Sequence, residues 1–255
     1  MDRLNEDLPR YAIAVLAHIA LVVVWYLFVK LGDVPKFVMP SPLETLDALL
    51  SPNYGWWANV VVTGTEIFAG YFLALAVGVV LALVFTWSKL LETFFMPLLV
   101  SLNMIPKVAL GPLIIVWFKY GVLPNTLIAF SIALFPILLT TARGLREIEP
   151  ELLDLVRGLR GTRWQLFTKI QLPGALPYIF SGMKVAAILA VAGAIVGEFL
   201  GSDKGLGYLM LQVQVTLDTP AMFMAVILIT MIGVVLYGMV LALERLLVVK
   251  DARLD

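Results

Sequence analysis

Apolar residues fall in long runs, separated by short stretches rich in charge, glycine and proline. Six runs stand out, at 11–29, 60–87, 90–118, 122–142, 178–200 and 221–246. A membrane-crossing helix needs about 20 mostly apolar residues, so the pattern predicts an all-α, polytopic membrane protein with six transmembrane helices. The first run is too long, and too poor in a small-residue cleavage site, to read as a signal peptide. At the last, Asp218-Thr219-Pro220 offers a capping side chain with proline at the helix start. Arg3, Arg10, Lys89, the cluster from Arg143 to Lys169, Arg245, Lys250 and Arg253 fall on one side of such a chain. Lys30, Lys36, Lys119 and Lys204 fall on the other. Positive residues concentrate on the cytoplasmic side, so both termini are expected to be cytoplasmic. Tyr54, Trp56 and Trp57 then sit at the outer interface, and Trp87 at the inner one.

Composition narrows the class. Of 255 residues, 61% are apolar and 14% charged, where soluble domains carry about 25% charged residues. The mean hydropathy is +0.98. A soluble globule of this length cannot hide so much apolar surface. The 18 basic and 18 acidic residues cancel, so no global field points to nucleic acid. The chain has no cysteine, which excludes disulfides and thiolate metal sites, and His18 is its only histidine. That excludes histidine-cluster metal sites and leaves little for acid–base chemistry.

Within the runs, small residues recur every fourth position: Gly70, Ala74, Gly78 and Ala82 in the second, Ala186, Ala190 and Ala194 in the fifth. Such stripes let helix backbones approach closely in lipid, either inside one subunit or at a dimer face. In the third run Pro97, Pro106 and Pro112 interrupt the helix, with Asn103, Lys107 and Gly111 between them. Broken backbone at membrane depth survives only where protein or a watery cavity covers it, so this helix is expected to line the interior. Lys107 should face the interior or a carboxylate: it could attract an anionic solute, cap carbonyls freed by Pro112, or pair with Glu198. Glu198, at the outer end of the fifth run, could instead reach the interface, as could Lys184 at its inner end. His18 reads as a packing or interface residue, and Glu66 lies a turn or two below the outer surface.

The connection 143–172 is the densely charged one and reads as two short helices. Glu149-Pro150 opens the first, with Leu152, Leu155, Val156 and Leu159 on one face and Glu151, Asp154 and Arg157 on the other. Gly158 and Gly161 punctuate a turn. Thr162 and Gln165 form a T-x-x-Q capping box for a helix carrying Trp164, Phe167 and Ile170, which Pro173 is expected to end. Its apolar side chains have nothing to bury against in a lone subunit; the alternative is a helix lying in the headgroups.

The segment Asp154-Leu-Val-Arg-Gly-Leu-Arg-Gly-Thr-Arg-Trp-Gln-Leu-Phe-Thr-Lys-Ile-Gln-Leu-Pro173 resembles the EAA loop of permease subunits of ATP-binding-cassette importers. Met39-Pro-Ser-Pro42, Ile105-Pro-Lys-Val-Ala-Leu-Gly-Pro-Leu113, Val196-Gly-Glu-Phe-Leu-Gly201 and Gly205-Leu-Gly-Tyr208 are similar to the branch importing nitrate, taurine, alkanesulfonates, pyrimidine precursors and some aromatic acids. The Glu-Ala-Ala opening is here Asp154-Leu155-Val156, the family's glycine falls on Arg160, and a basic residue is usual at Glu66.

The resemblance implies a type I importer permease fold over 1–255, with a core at about 60–247, a peripheral first helix at 11–29 and a coupling loop at 143–172. It implies that Asp154, Arg157, Gly158, Leu159, Arg160, Gly161, Trp164 and Pro173 meet an ATPase subunit, and it makes Asn103, Pro106, Lys107 and Glu198 candidates for the solute path. The implied partners are two ATPase subunits, a second permease chain expected to be identical, a periplasmic or lipoprotein solute-binding protein, and lipid of the bacterial inner membrane. ATP and Mg would be bound by the ATPase subunits and no cofactor by this chain. The absence of any Gly-Lys dipeptide, and so of a phosphate-binding loop, agrees. The rival readings are a stand-alone secondary transporter, which needs paired broken helices, and an integral-membrane enzyme, which needs convergent catalytic groups.

Overall fold

The computed structural model describes residues 2–147 and 150–248. In chain order the helices are α1 (Asp2–Leu31), α2 (Pro42–Leu49), α3 (Trp56–Trp87), α4 (Lys89–Met104), α5 (Lys107–Phe118), α6 (Val122–Gly144), α7 (Pro150–Gly158), α8 (Arg163–Leu166), α9 (Leu172–Gly201), α10 (Leu206–Val215) and α11 (Thr219–Leu247). The described residues contain no strand. Four continuous helical stretches are long and apolar enough to cross a membrane: Pro52–Trp87, Val122–Gly144, Arg163–Gly201 and Thr219–Leu247.

The chain divides into two compact units, Met1–Trp56 with Leu209–Leu228 and Trp57–Tyr208 with Ile229–Asp255. In the first, the Trp25 indole N–H donates to the Pro40 carbonyl at 3.0 Å, and its ring lies 5.8 Å from that of Phe223. Ser41 opens α2 through a capping box: Glu44 accepts from the Ser41 N–H at 2.7 Å, and the Ser41 hydroxyl accepts from the Glu44 N–H. The ionised form of Glu44 accepts these bonds, so they hold its carboxyl below the ordinary range. Asp218 caps α11 by accepting from the Ala221 N–H, and it also receives the Tyr54 hydroxyl.

In the second unit α6 is the central helix, and both small-residue stripes pack on it. A side chain at Gly70 of α3 would meet Ala129, and one at Gly78 would meet Ile137. On α9, Gly182, Gly193 and Gly197 face Pro136–Thr140, Ala129 and Asn125. Ala74, Ala82, Ala186, Ala190 and Ala194 are fully buried. The stripes therefore serve packing within one subunit, where small residues maximise backbone approach.

Three expectations need correction. The third run is two helices, α4 and α5, broken only at Ile105-Pro106; Pro97 and Pro112 lie within helices. It does not line the interior of the single chain, since Pro106 is exposed and no residue of α4 is buried. Phe94, Leu98, Leu102 and Val116 point outward, a surface that requires lipid or another chain. Pro173 does not end the loop's second helix either. A π-turn at Phe167–Gln171 follows α8, and the chain continues into α9 as one helix of 39 residues. The Leu172 N–H reaches back five residues to the Phe167 carbonyl, and this wider turn carries the helix past a residue with no N–H to offer. The short helices α2 and α10 were not anticipated from hydropathy.

Candidate functional site

The loop after α6 is built from capped turns. Arg146 pairs with Glu92 at 2.5 Å and Arg143 with Glu147 at 2.9 Å. The Arg143 guanidinium, donating to Glu147, holds that carboxyl below its ordinary range. Glu149 lies outside the described residues, as do the side chains of Leu155 and Arg157. Pro150 starts α7, where a missing N–H costs nothing. The helix ends in a Schellman turn: Arg160 adopts φ +53°, and the Gly161 N–H donates to the Val156 carbonyl at 2.8 Å. Gly158 has open space around it, whereas a side chain at Gly161 would collide with Val156 at 2.6 Å.

The expected capping box then starts α8. The Gln165 N–H donates to the Thr162 hydroxyl at 3.2 Å, and the Thr162 N–H to the Gln165 side chain at 2.8 Å. Trp164 stacks on Phe167 at 5.8 Å, and Phe167 meets Trp87 of α3 edge-on at 5.4 Å. This aromatic run ties the turn to the end of α3 while most of Trp164 stays uncovered. Leu159 is 75% exposed and Trp164 65%. Asp154 and Arg160 are exposed too. Between the two short helices lies a cleft of about 300 Å³ lined by Val156, Leu159, Gly161, Gln165, Lys169 and Ile170. The loop thus presents a preformed knob with apolar side chains outward.

The membrane-depth candidates separate. Asn103 and Lys107 are half-buried at the break between α4 and α5. The Lys107 ammonium donates to the Leu102 carbonyl at 3.0 Å. That carbonyl also accepts from the Ile105 N–H at 3.4 Å, while its donor in an unbroken helix would be residue 106, a proline without an N–H. Lys107 therefore caps the break made by Pro106 rather than carbonyls freed by Pro112. It does not pair with Glu198. Glu198 is 1% exposed, not at the interface; it accepts from the Thr63 hydroxyl at 2.6 Å and from the N–H groups of Gly207 and Tyr208. Lys184 does not extend to the headgroups but pairs with buried Glu244 at 3.2 Å.

Hydropathy alone missed the grouping around Glu198, which takes in Glu66, Thr63 and Asn125. A signal for it exists. Stepping four residues before Gly70 gives Glu66, and four after Ala194 gives Glu198, so each acid extends a stripe that faces α6.

Comparison with known proteins places this architecture. Residues 74–249 match the family described as binding-protein-dependent transport system inner membrane component. A probable ABC transporter permease protein of Haemophilus influenzae is 33% identical over 217 residues, 85% of this chain and 89% of its own length. The riboflavin transport system permease protein of Chloroflexus aurantiacus is 35% identical over 240 residues, covering 91% and 87%. A putative aliphatic sulfonates transport permease protein of Bacillus subtilis is 27% identical over 229 residues, covering 88% and 82%. In structure, the chain is similar to one from inward-facing crystals of the MetNI methionine ABC transporter, with a TM-score of 0.57 and 20% identity over 75% of this chain and 98% of that one. The chain belongs to the binding-protein-dependent inner membrane components, the permease subunits of ABC importers.

Proposed function

We propose that this permease passes a small anionic or heteroaromatic solute, handed over by an extracytoplasmic binding protein, and is driven by two ATPase subunits that grip the 143–172 loop. The observation that carries the coupling role is the capped turn presenting Leu159 and Trp164 to solvent. Covering both side chains is worth several kcal/mol by area, enough to hold a partner. Asp154, Arg157, Gly158, Arg160 and Gly161 would complete that contact, and Pro173 would stay inside the helix behind it. ATP and Mg would sit on the ATPase subunits. The outward apolar side chains of α4 and α5 support pairing with a second, identical permease chain, and the lysine and arginine bias supports the bacterial inner membrane with both termini inside.

The solute class is supported by relatives named for aliphatic sulfonates, formylaminopyrimidine and riboflavin. Of the four path candidates, Asn103, Pro106 and Lys107 are kept, with Lys107 offering its charge beside the Leu102 carbonyl; Glu198 is set aside because it is buried among its own donors.

The test is co-purification with the ATPase and binding protein, followed by ATPase stimulation in proteoliposomes across sulfonates, pyrimidines and flavins. Leu159→Asp should leave the membrane domain folded while releasing or uncoupling the ATPase. Wild-type stimulation in Leu159→Asp would overturn the coupling role. Stimulation by none of the three solute classes would overturn the substrate reading alone.

A further inference from the structure

Near the Trp56 end of α3, the second unit buries a polar cluster that the coupling and transport roles do not use. Glu66 of α3 and Glu198 of α9 are 0% and 1% exposed. Neither forms an ion pair with a lysine or arginine among the described residues.

Their hydrogen bonds are unequal. Glu198 has a full set of donors: the Thr63 hydroxyl at 2.6 Å, the Gly207 N–H at 2.5 Å and the Tyr208 N–H at 3.3 Å. It caps α10, whose positive N-terminal end adds to the stabilisation of a negative charge. Glu66 accepts only from the Asn125 amide, at 2.9 Å, on Oε1. Its Oε2 is buried without a donor. Glu66 lies one turn along α3 from Thr63, which binds Glu198, and its donor Asn125 packs against Gly197, next to Glu198 in the chain.

We propose that Glu66 and Glu198 form a buried proton-binding site, with one proton resting on Glu66 Oε2 and donated to the Glu198 carboxylate. An ionised carboxylate only accepts, and two neighbouring carboxylates out of water strongly disfavour both being ionised. The proton fills the one acceptor geometry that no protein donor serves. It also explains how Glu198 stays charged enough to hold α10. Four consecutive N–H groups end on this cluster: Gly205 on Asn59 at 2.8 Å, Leu206 on Thr63 at 2.8 Å, and Gly207 and Tyr208 on Glu198. The fit is tight, since a side chain at Gly205 (φ +110°) would lie 2.3 Å from the Glu198 carboxyl carbon. Among the described residues, the other groups bonded within this cluster are Asn59 and Thr63 from α3, Asn125 from α6 and the backbone of 205–208, and none of these titrates. Removing the proton therefore sets two negative charges against each other and loosens the clasp on 205–208. This holds whatever solute is carried.

Infrared spectroscopy of the full chain in nanodiscs tests the site directly. A protonated-carboxyl C=O band that shifts in deuterium oxide is expected in the parent, and Glu66→Gln should remove it. Gln is isosteric with the protonated acid and still donates to Glu198, so the variant should fold. Absence of the band in the parent, or its persistence in Glu66→Gln, overturns the proposal. A second measurement uses Lys204→Cys in this cysteine-free chain, with Tyr120→Cys as the reference for thiol ionisation. As pH rises, labelling at 204 relative to 120 should increase several-fold with Glu66 present and stay flat with Glu66→Gln. Equal pH profiles in the two backgrounds, or a profile set by sodium concentration instead of pH, overturn it.

Discussion

Arg160 holds φ +53°, a left-handed conformation that costs an L-residue roughly 1–2 kcal/mol relative to glycine. It stands where the family places its glycine, so the turn keeps its shape against the preference of its own side chain. Arg160→Gly should raise stability by about 1 kcal/mol, read as a higher unfolding temperature of the purified chain in detergent; a lower temperature would show that the arginine side chain contributes more than the strain removes. Gly161→Leu should do the opposite, because its side chain meets Val156 at 2.6 Å, and ATPase coupling should fall with it. Some of this was legible beforehand. The T-x-x-Q box at Thr162 follows from local hydrogen-bond chemistry, which sequence spacing captures. The partners of Lys107 and Glu198 were not, because they depend on which backbone groups the Ile105-Pro106 break and the 205–208 loop leave open, and hydropathy carries no trace of that.

At the scale of helices, the break between α4 and α5 is stabilised by an ammonium that joins the Ile105 N–H on the Leu102 carbonyl, where the helical donor, residue 106, has none. Lys107→Met should lower stability by about 1 kcal/mol. Adding Pro106→Ala should largely cancel the loss, since residue 106 then supplies its own N–H to Leu102. A double-mutant cycle on thermal unfolding measures the coupling, and additivity would refute this account of the break. The α6–α9 contact makes a stronger prediction. A Cβ at Gly193 lies 2.7 Å from the Ala129 backbone, so Gly193→Val should force the helices apart and cost about 1–3 kcal/mol, seen as loss of the monodisperse peak in size-exclusion chromatography. That these stripes pack was readable from their four-residue period. Which helix they meet was not, because the period fixes a face and leaves the partner open. Pro173 misled for a related reason: the residue forbids a normal i→i−4 bond, yet a π-turn avoids the need for one.

For the whole molecule, the alternation of apolar runs and basic connections predicts a topology that labelling can check. Single cysteines near Lys89 and Arg157 should react only from the cytoplasmic side, and those near Ser51, Tyr120 and Lys204 only from outside; labelling of position 157 from outside would overturn the orientation. The family was legible because its signature lies in a contiguous loop, whereas the Glu66–Glu198 pair joins residues more than a hundred positions apart. One feature links the two regions mechanically. The stretch from Arg163 to Gly201 is a single helix of 39 residues, about 58 Å at 1.5 Å per residue. Where this helix moves as one body through its π-turn, Trp164 at one end is a handle on Glu198 at the other. A tilt of only 5° imposed on one end sweeps the opposite end through roughly 5 Å, so a small displacement of the Trp164 turn reaches the Glu198 end as a movement on the scale of a small solute.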